Sequence, residues 1–191
     1  ATTDLHSVTE GSSEINSILI SPEPVAKRTV EGDLGVYVNV AHIVEKIGMD
    51  NLKKEFPDAE GLLENYKPIP ETSREKQFVE RLTREAVHTS LERHAGKLRY
   101  FYTASGKKTV AEGKDLTAIQ YIIGTGGALT RLPGKKEILE SVKILAKERE
   151  LYPAESAKVL IDEDYILSSL GVLSKSYLND ALLLMKNSLR M

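Results

Sequence analysis

A glycine-rich run in the second half of the chain could bind a nucleotide. Gly124, Gly126 and Gly127 follow the mostly apolar segment 118–123, which predicts a buried strand. Glycines after a buried strand let the backbone approach a ligand closely, and the helix that follows offers unpaired N–H groups. The run lacks both the Gly-Lys-Ser/Thr ending of a P-loop and the Gly-x-Gly-x-x-Gly spacing of dinucleotide sites. A nucleotide site and a tight strand-to-helix turn are both open interpretations.

The first residues of the chain form the second candidate group. Thr2 and Thr3 place two hydroxyls beside the carboxylate of Asp4, in a predicted strand over residues 1–8. Such groups can contact phosphate oxygens and Mg²⁺. An ordinary strand end is the alternative interpretation of the same residues.

Other reactive side chains are absent or scattered. The chain has no cysteine, which excludes disulfides, cysteine-ligated zinc and thiol catalysis. Its 4 histidines form no His-Glu-x-x-His pattern, so we expect structural or surface roles for them. Only His88 is kept as a candidate site residue.

Charge and hydropathy narrow the classes of partner. The chain has 26 basic and 28 acidic residues, giving a net charge of −2, which argues against a large nucleic-acid interface. Residues 99–102 mix arginine with aromatic rings, but the alternating faces of a strand explain this pattern better than a nucleic-acid platform does. No apolar run approaches the roughly 20 residues that span a membrane. We therefore expect a cytoplasmic protein that binds neither nucleic acid nor membrane.

Alternating strands and helices must position these candidate residues. The sequence predicts strands at 1–8, 98–102, 118–123 and 159–161, the last two of them buried. Apolar residues three and four apart predict helices at 36–47, 72–95, 136–147, 176–189 and from near Tyr165. Prolines and glycines in the segment 21–35 predict a loop. This order of elements indicates an α/β layer fold.

The ends of the helices have recognisable sequences. Thr72 and Glu75 have the spacing of a capping box, and Gly96 suits the position after the long helix. Asp162 or Asp164 could cap the helix that begins near Tyr165. In the last helix the predicted core face is either ordinary core or a surface left bare by a missing lobe; its residues are Leu178, Ala181, Leu182, Met185 and Leu189.

Taken together, in this order and separation, the two candidate groups resemble the actin-like superfamily of sugar kinases and heat-shock chaperone ATPases. Residues 1–4 are similar to the tail of its second phosphate loop, Asp-x-Gly-Gly-x-Thr-x-Asp, so we expect the chain to begin just after that glycine pair. Residues 126–133 are similar to the chaperones' adenosine motif, Gly-Gly-x-Thr-Arg-x-Pro, with one extra residue. Within the superfamily, the glutamate mutase accessory ATPases, called MutL or GlmL and unrelated to the mismatch-repair protein, are most similar to the runs at 1–11, 28–35, 123–131 and 164–173.

The resemblance implies a role for each matched residue. Asp4 would be the catalytic residue, orienting the attacking water or holding Mg²⁺ indirectly. Arg131 would stack on adenine, because a planar guanidinium suits an aromatic ring. The other implied nucleotide contacts are Thr2, Thr3, Gly124, Gly126, Gly127 and Thr130, with Glu85 and His88 on the helix that lines the ribose. Asp162 and Asp164 both lie near the expected adenine edge.

The implied fold is the C-terminal lobe of an actin-like, ribonuclease H-like ATPase. Residues 1–191 would form this α/β lobe, in which a mixed sheet flanked by helices (1–20 and about 97–191) carries a mainly helical insertion subdomain (about 28–96). Nothing here matches the superfamily's first phosphate loop, so ATP and Mg²⁺ would lie between this lobe and an N-terminal lobe. Each hydrogen bond to a charged group contributes roughly 1.5–3 kcal/mol, so we expect weak binding and negligible hydrolysis by this chain alone.

The implied function is that of a chaperone-like ATPase that assembles or reactivates adenosylcobalamin-dependent glutamate mutase. Its partners would be the mutase subunits and the N-terminal lobe of the same protein. Two alternatives stay open: a non-catalytic module that holds nucleotide or protein, and a fragment of a small-molecule kinase of the same superfamily. A kinase needs a hydroxyl-substrate pocket with a catalytic carboxylate, for which the sequence offers no clear candidate.

Overall fold

Helices and strands are both present along the chain, as the sequence predicts, but groups of consecutive helices and of consecutive strands occur as well. The computed structural model describes residues 2–104, 106–146 and 149–191. The strands are β1 (Thr3–Val8), β2 (Ala26–Glu31), β3 (Lys97–Thr103), β4 (Gly106–Glu112), β5 (Tyr121–Gly124) and β6 (Lys158–Ile161). The helices are α1 (Ser13–Asn16), α2 (Val40–Ile47), α3 (Met49–Glu55), α4 (Ala59–Glu64), α5 (Ser73–His94), α6 (Gly127–Arg131), α7 (Lys135–Leu145), α8 (Leu167–Leu173) and α9 (Leu178–Ser188), with a 3₁₀ turn at Gly32–Leu34. The mixed α/β class is confirmed.

The strands pair differently from the expected single mixed sheet. β1 and β2 are antiparallel, β3 and β4 form an antiparallel hairpin, and β5 and β6 are parallel. Across the described ranges, hydrogen bonding leaves these as separate two-stranded sheets. Apolar patterning locates a strand, whereas its partner depends on packing between distant segments. The small sheets are flanked by helices, and the actin-like arrangement stays a prediction.

Strand β2 corrects the prediction of a loop over 21–35. The residues of β2 that face the body of the protein are polar: Lys27 and Thr29 both bond to His94, and Glu31 pairs with Arg93. A strand whose inner face is polar lacks the apolar alternation that identifies a half-buried strand. The pairing of β2 with β1 therefore cannot be predicted from the sequence pattern.

Helix α5 is the central support of the molecule, and its predicted capping box is confirmed. Thr72 Oγ1 accepts a bond of 3.1 Å from Glu75 N–H, while Glu75 Oε2 accepts one of 2.8 Å from Thr72 N–H. One face of the first half of α5 packs on a core formed by α2, α3 and α4, with Phe78 and Leu82 almost fully buried. The second half contributes Leu91 to another core. That second core also contacts β1, β5 and α7, so α5 joins both candidate groups to one scaffold.

Strand β5 is more exposed than predicted, and α9 is only partly the ordinary core that was one of its two predicted interpretations. Tyr121 and Ile123 of β5 are 42% and 45% exposed, so this strand is not buried on both faces. In α9, Ala181 and Leu189 are buried as predicted, but Leu178 and Leu182 are 58% and 41% exposed. The helices α7 and α8 that flank these elements cover one side of each, which leaves the other side open to solvent.

The remaining predicted elements are present, although α2 begins four residues later than predicted and β5 three residues later. The helix predicted over 136–147 is α7, although Lys147 lies outside the described residues, as does Ala1 of the first motif. Among the described residues, no helix is both long and apolar enough to cross a membrane.

Candidate functional site

The glycine run has two parts with different structural roles. A side chain at Gly124 would meet Leu139 Cδ1 at 2.5 Å, so this glycine allows β5 to pack against α7. A Cβ at Gly126 or Gly127 would meet nothing within 4 Å, and Gly126 has a φ of +92° that favours glycine. The backbone at 126–127 is therefore open on one side, where a ligand can approach it closely.

A buried carboxylate fixes the shape of this glycine loop, which we define as residues 124–131. Asp162, at 0% exposure, accepts a bond of 2.7 Å from Thr125 Oγ1 and one of 2.6 Å from Ser188 Oγ. It also accepts bonds of 3.1 Å from the N–H groups of Ile166 and Leu167, which caps α8. Burial raises the pKa of Asp162, but the bonds from Ser188, Leu167, Thr125 and Ile166 outweigh it and keep the pKa below its ordinary value.

The structure separates the two aspartates that the sequence left open. Asp162 faces inward and holds the glycine loop. Asp164 is exposed, with Oδ1 at 3.4 Å from the Arg190 guanidinium. The register of the parallel pair, Gly124 opposite Ile161, explains why Thr125 and Asp162 meet, since both residues directly follow their strands.

The end of the glycine loop is held from both sides. Thr130, 4% exposed, donates from Oγ1 to the Gly126 carbonyl at 2.9 Å, which closes the loop on itself. Lys135 donates to the Thr130 carbonyl at 3.1 Å and pairs with Glu163 at 2.5 Å. The Arg131 side chain is exposed, and within the described ranges it forms no hydrogen bond or ion pair. A planar cation is thus available beside an open backbone.

The candidate ribose contacts on α5 already have protein partners. Glu85 pairs with Arg81 at 3.2 Å, and His88 Nε2 lies 2.7 Å from Ser141 Oγ on α7. Burial lowers the pKa of His88, so its imidazole is neutral at pH 7. Sequence reasoning missed Glu80, whose Oε1 accepts a bond of 2.6 Å from Gly134 N–H, shortly after the glycine loop. Glu80 and His88 therefore join α5 to α7 and to the turn that precedes it.

The residues at the start of β1 are satisfied by simple surface contacts. Thr3 Oγ1 donates to the Leu34 carbonyl at 2.6 Å, and Thr2 Oγ1 donates to Asp4 Oδ1 at 3.0 Å. Asp4 also pairs with Arg28 at 2.6 Å, and this guanidinium holds the pKa of Asp4 below its ordinary value. In the part of the chain that the structure describes, no group of three or more histidines and acidic residues could hold a metal ion by itself.

The candidate residues thus form one assembled group and one separate group. Beyond the carboxyl ends of β5 and β6, Thr125 bonds to Asp162, and Lys135 links the Thr130 carbonyl to Glu163. Arg131 directly follows Thr130 in the chain. Residues 2–4 reach the same helix, α5, through β1, but among the described residues no hydrogen bond or ion pair joins them to the glycine loop. The glycine loop is the better-formed half of the candidate site.

Comparison with known proteins gives one family. The family model described as "MutL protein" matches residues 1–189. Among curated proteins, "Protein MutL" of Clostridium tetanomorphum is 34% identical over 200 aligned positions, which cover 99% of this chain and 43% of that relative. The chain therefore spans less than half the length of this relative. No solved structure matches the chain.

Proposed function

The chain belongs to the MutL protein family, the accessory family of glutamate mutase and not the mismatch-repair one, and on that premise we propose that it is the ATP-binding part of an actin-like ATPase. In the intact protein, ATP binding and hydrolysis would open and close two lobes. That motion would remodel adenosylcobalamin-dependent glutamate mutase, so that damaged cofactor leaves or fresh cofactor enters. Family membership supports the link to the mutase, and the glycine loop supports the nucleotide.

The open backbone of the glycine loop is the observation that carries the proposal. Side chains at Gly126 and Gly127 would occupy empty space, which is the space that a nucleoside lying against the backbone would need. The network around Asp162 holds this backbone in place before any ligand arrives, so little ordering is required on binding. The residues that are present therefore fit a nucleotide.

Each residue would act by position or charge. Arg131 would stack on the base, while Gly126 and Gly127 would let the backbone lie against the nucleoside. Thr2 and Thr3 would contact phosphate oxygens, and Asp4 would orient the attacking water or bind Mg²⁺ through water. Bound Mg·ATP would supply the phosphoryl bond whose hydrolysis drives the change of shape. For Asp4 to act in this way, its carboxylate must exchange the contact with Arg28 for one with the metal's water shell.

One observation favours a second candidate function, a half that holds nucleotide without turnover. The proposed catalytic carboxylate, Asp4, is paired with Arg28 and accepts a bond from Thr2. The bond from Arg28 lowers the pKa of Asp4 and so weakens its carboxylate as a base toward a water molecule. Binding without hydrolysis is accordingly the behaviour that we expect of the chain by itself.

Calorimetric titration of the chain with Mg·ATP tests the proposal. We expect weak binding that falls about twofold to thirtyfold in Arg131→Ala, because a guanidinium stacked on an aromatic ring contributes about 0.5–2 kcal/mol. Arg99→Ala is the matched control: Arg99 is also exposed, on the hairpin β3–β4, where it pairs with Glu112. No binding at millimolar ATP, or equal loss in both variants, would contradict the nucleotide site.

The role toward the mutase needs a separate measurement. The chain, immobilised on a sensor surface, should bind glutamate mutase subunits loaded with inactive cobalamin more tightly than subunits loaded with adenosylcobalamin. Equal binding of the two forms would contradict the proposal that the protein distinguishes mutase with damaged cofactor from mutase with intact cofactor. It would not bear on the nucleotide site.

A further inference from the structure

One exposed aromatic residue adopts a left-handed backbone conformation that residues other than glycine rarely adopt. Tyr165 has a φ of +55° and is 51% exposed. Residues other than glycine avoid this region, and where they persist in it the surrounding structure holds them there, often at functional sites. In the described residues Arg190 is the other such case, at φ +54°. It ends α9 with the bond from Met191 N–H to the Lys186 carbonyl that a helix C-terminus commonly forms.

The backbone of Tyr165 is fixed to the glycine loop through Asp162. Tyr165 N–H donates to the Asp162 carbonyl at 3.1 Å, and the next residue, Ile166, donates its N–H to the Asp162 carboxylate at 3.1 Å. The same carboxylate accepts the bond from Thr125. A short chain of hydrogen bonds therefore sets the position of residue 165 relative to the loop.

Tyr165 lies beyond the carboxyl ends of the parallel strands β5 and β6. β5 and β6 end in register, with Gly124 opposite Ile161, so the segments that follow them leave the same edge. Ligands of open α/β sheets bind beyond the carboxyl ends of the strands. Tyr165 follows β6 at this edge as Gly126 follows β5. Its hydroxyl makes no hydrogen bond within the described part of the chain.

We propose that Tyr165 is a base-stacking residue of this edge, which with Arg131 forms a two-sided site for the purine of a nucleotide. The inference rests on the proposed function, because it names a further residue of the same site. A tyrosine suits this role because its flat ring gives a large contact area and loses little conformational freedom on binding. The turn around Asp162 holds Tyr165 at its positive φ, so the ring would be positioned before a ligand binds.

A single-tryptophan reporter tests the inference directly, because the chain contains no tryptophan. In Tyr165→Trp, titration with ATP should quench the tryptophan fluorescence, while titration with inorganic tripolyphosphate should leave it unchanged. Tyr177→Trp is the control, since Tyr177 is 60% exposed at the start of α9 and should not respond to ATP. Quenching by tripolyphosphate as well would overturn the stacking role, because tripolyphosphate has no base.

Affinity supplies the second readout. Base stacking on an aromatic residue gives a loss of about tenfold to a hundredfold in ATP affinity on substitution by alanine. By calorimetry, Tyr165→Ala should show that loss, and Tyr165→Phe should bind as the wild type does. If the wild type binds ATP while Tyr165→Ala binds equally well and the fluorescence of Tyr165→Trp does not change, the stacking role is wrong and the proposed function survives. If the wild type binds no ATP, the stacking role of Tyr165 and the proposed ATP-binding function are both wrong.

Discussion

The two candidate segments differ in how the chain holds their aspartates. Asp162 beside the glycine loop is fully buried and accepts bonds from two hydroxyls and two backbone N–H groups. Asp4 at the start of β1 lies at the surface, and its partners are one arginine and one neighbouring threonine. Buried polar networks order the structure around them, whereas exposed ion pairs contribute little.

Because of this difference, we expect this chain to fix the nucleoside side of the proposed site more firmly than its phosphate side. The nucleoside side is set by contacts inside the chain, from Thr125 through Asp162 to Ser188. The phosphate side has Thr2 and Asp4 at the surface, with contacts that a ligand would have to exchange. We therefore expect the base and sugar to contribute more to binding than the phosphates, so ADP should bind almost as tightly as ATP.

The largest expected effect comes from removing the buried aspartate. Asp162→Ala leaves Thr125, Ser188 and two N–H groups without their acceptor, and we expect the free energy of unfolding to fall by about 3–5 kcal/mol. Asp4→Ala removes one surface ion pair and should cost under about 1 kcal/mol. Urea denaturation followed by circular dichroism measures both.

Asp162→Asn is the companion variant for that comparison. This variant keeps the size of the side chain but replaces one carboxylate oxygen with an NH₂ donor, which faces groups that also donate. We therefore expect a loss of unfolding free energy between those of Asp162→Ala and Asp4→Ala. Equal stability losses for Asp162→Ala and Asp4→Ala would show that the glycine loop is no better held than the strand end.

The second prediction concerns how β1 is attached to α5. His94 is fully buried, with Nε2 at 2.7 Å from Ser7 Oγ on β1 and Nδ1 at 2.9 Å from Thr29 Oγ1 on β2. Burial, together with the nearby positive charges of Lys27 and Lys114, lowers the pKa of His94 to about 4. The strand end is therefore attached through a neutral histidine rather than through Asp4.

The direction of the pH dependence follows from that shift. The unfolded chain binds a proton at His94 near the ordinary pKa of 6.5, and the folded chain does so only near 4, so protonation favours unfolding. Stability should be complete above about pH 6.5 and decrease by about 3 kcal/mol as the pH falls toward 4. Urea denaturation at a series of pH values measures this decrease.

Two variants separate His94 from other titrating groups. His94→Gln should flatten the decrease between about pH 6.5 and 4.5, whereas His88→Gln should remove a smaller part, because burial also lowers the pKa of His88. Carboxylates whose pKa the fold lowers, such as Asp162, lose their contribution at lower pH. An unchanged profile in His94→Gln would mean that β1 is not attached through this histidine.

The same contrast explains what the sequence could predict. The capping box at Thr72 and Glu75 was readable because both partners lie within four residues. The strand-to-helix turn of the glycine loop could be predicted because glycines directly follow an apolar run there. β2 was missed because its inner face is polar and its partners, Arg93 and His94, lie more than 60 residues away.

Asp162 was readable only in part. The sequence suggested Asp162 or Asp164 as a cap for α8, and the Asp162 carboxylate does accept bonds from the first two N–H groups of that helix, although Ile166 is its N-cap residue. Its bond to Ser188 joins residues 26 positions apart in the sequence, and its bond to Thr125 depends on the pairing of β5 with β6. The exposed leucines of α9 show that the burial of a helix face cannot be predicted from its sequence alone. A helical apolar pattern does not reveal which partner, if any, covers that face.

The smallest effect, and the sharpest test of the glycine loop, comes from its own glycines. Gly124→Ala must displace Leu139 and should cost about 1–3 kcal/mol, measured by urea denaturation. Gly127→Ala adds a methyl group to open space in the first turn of α6, so stability should change by less than about 1 kcal/mol, in the stabilising direction. Gly61→Ala is the matched control, because it lies in α4 and its Cβ would also meet nothing within 4 Å.

ATP affinity distinguishes Gly127→Ala from Gly61→Ala, whereas a stability measurement does not. If a nucleoside lies against the loop, the methyl group of Gly127→Ala occupies its space and ATP affinity should fall about tenfold, which is about 1.4 kcal/mol. Gly61→Ala should bind ATP as the wild type does. A Gly127→Ala variant that is stable and binds ATP normally would show that the open backbone serves only as a strand-to-helix turn, and the advantage of the glycine loop over the strand end would then be structural alone.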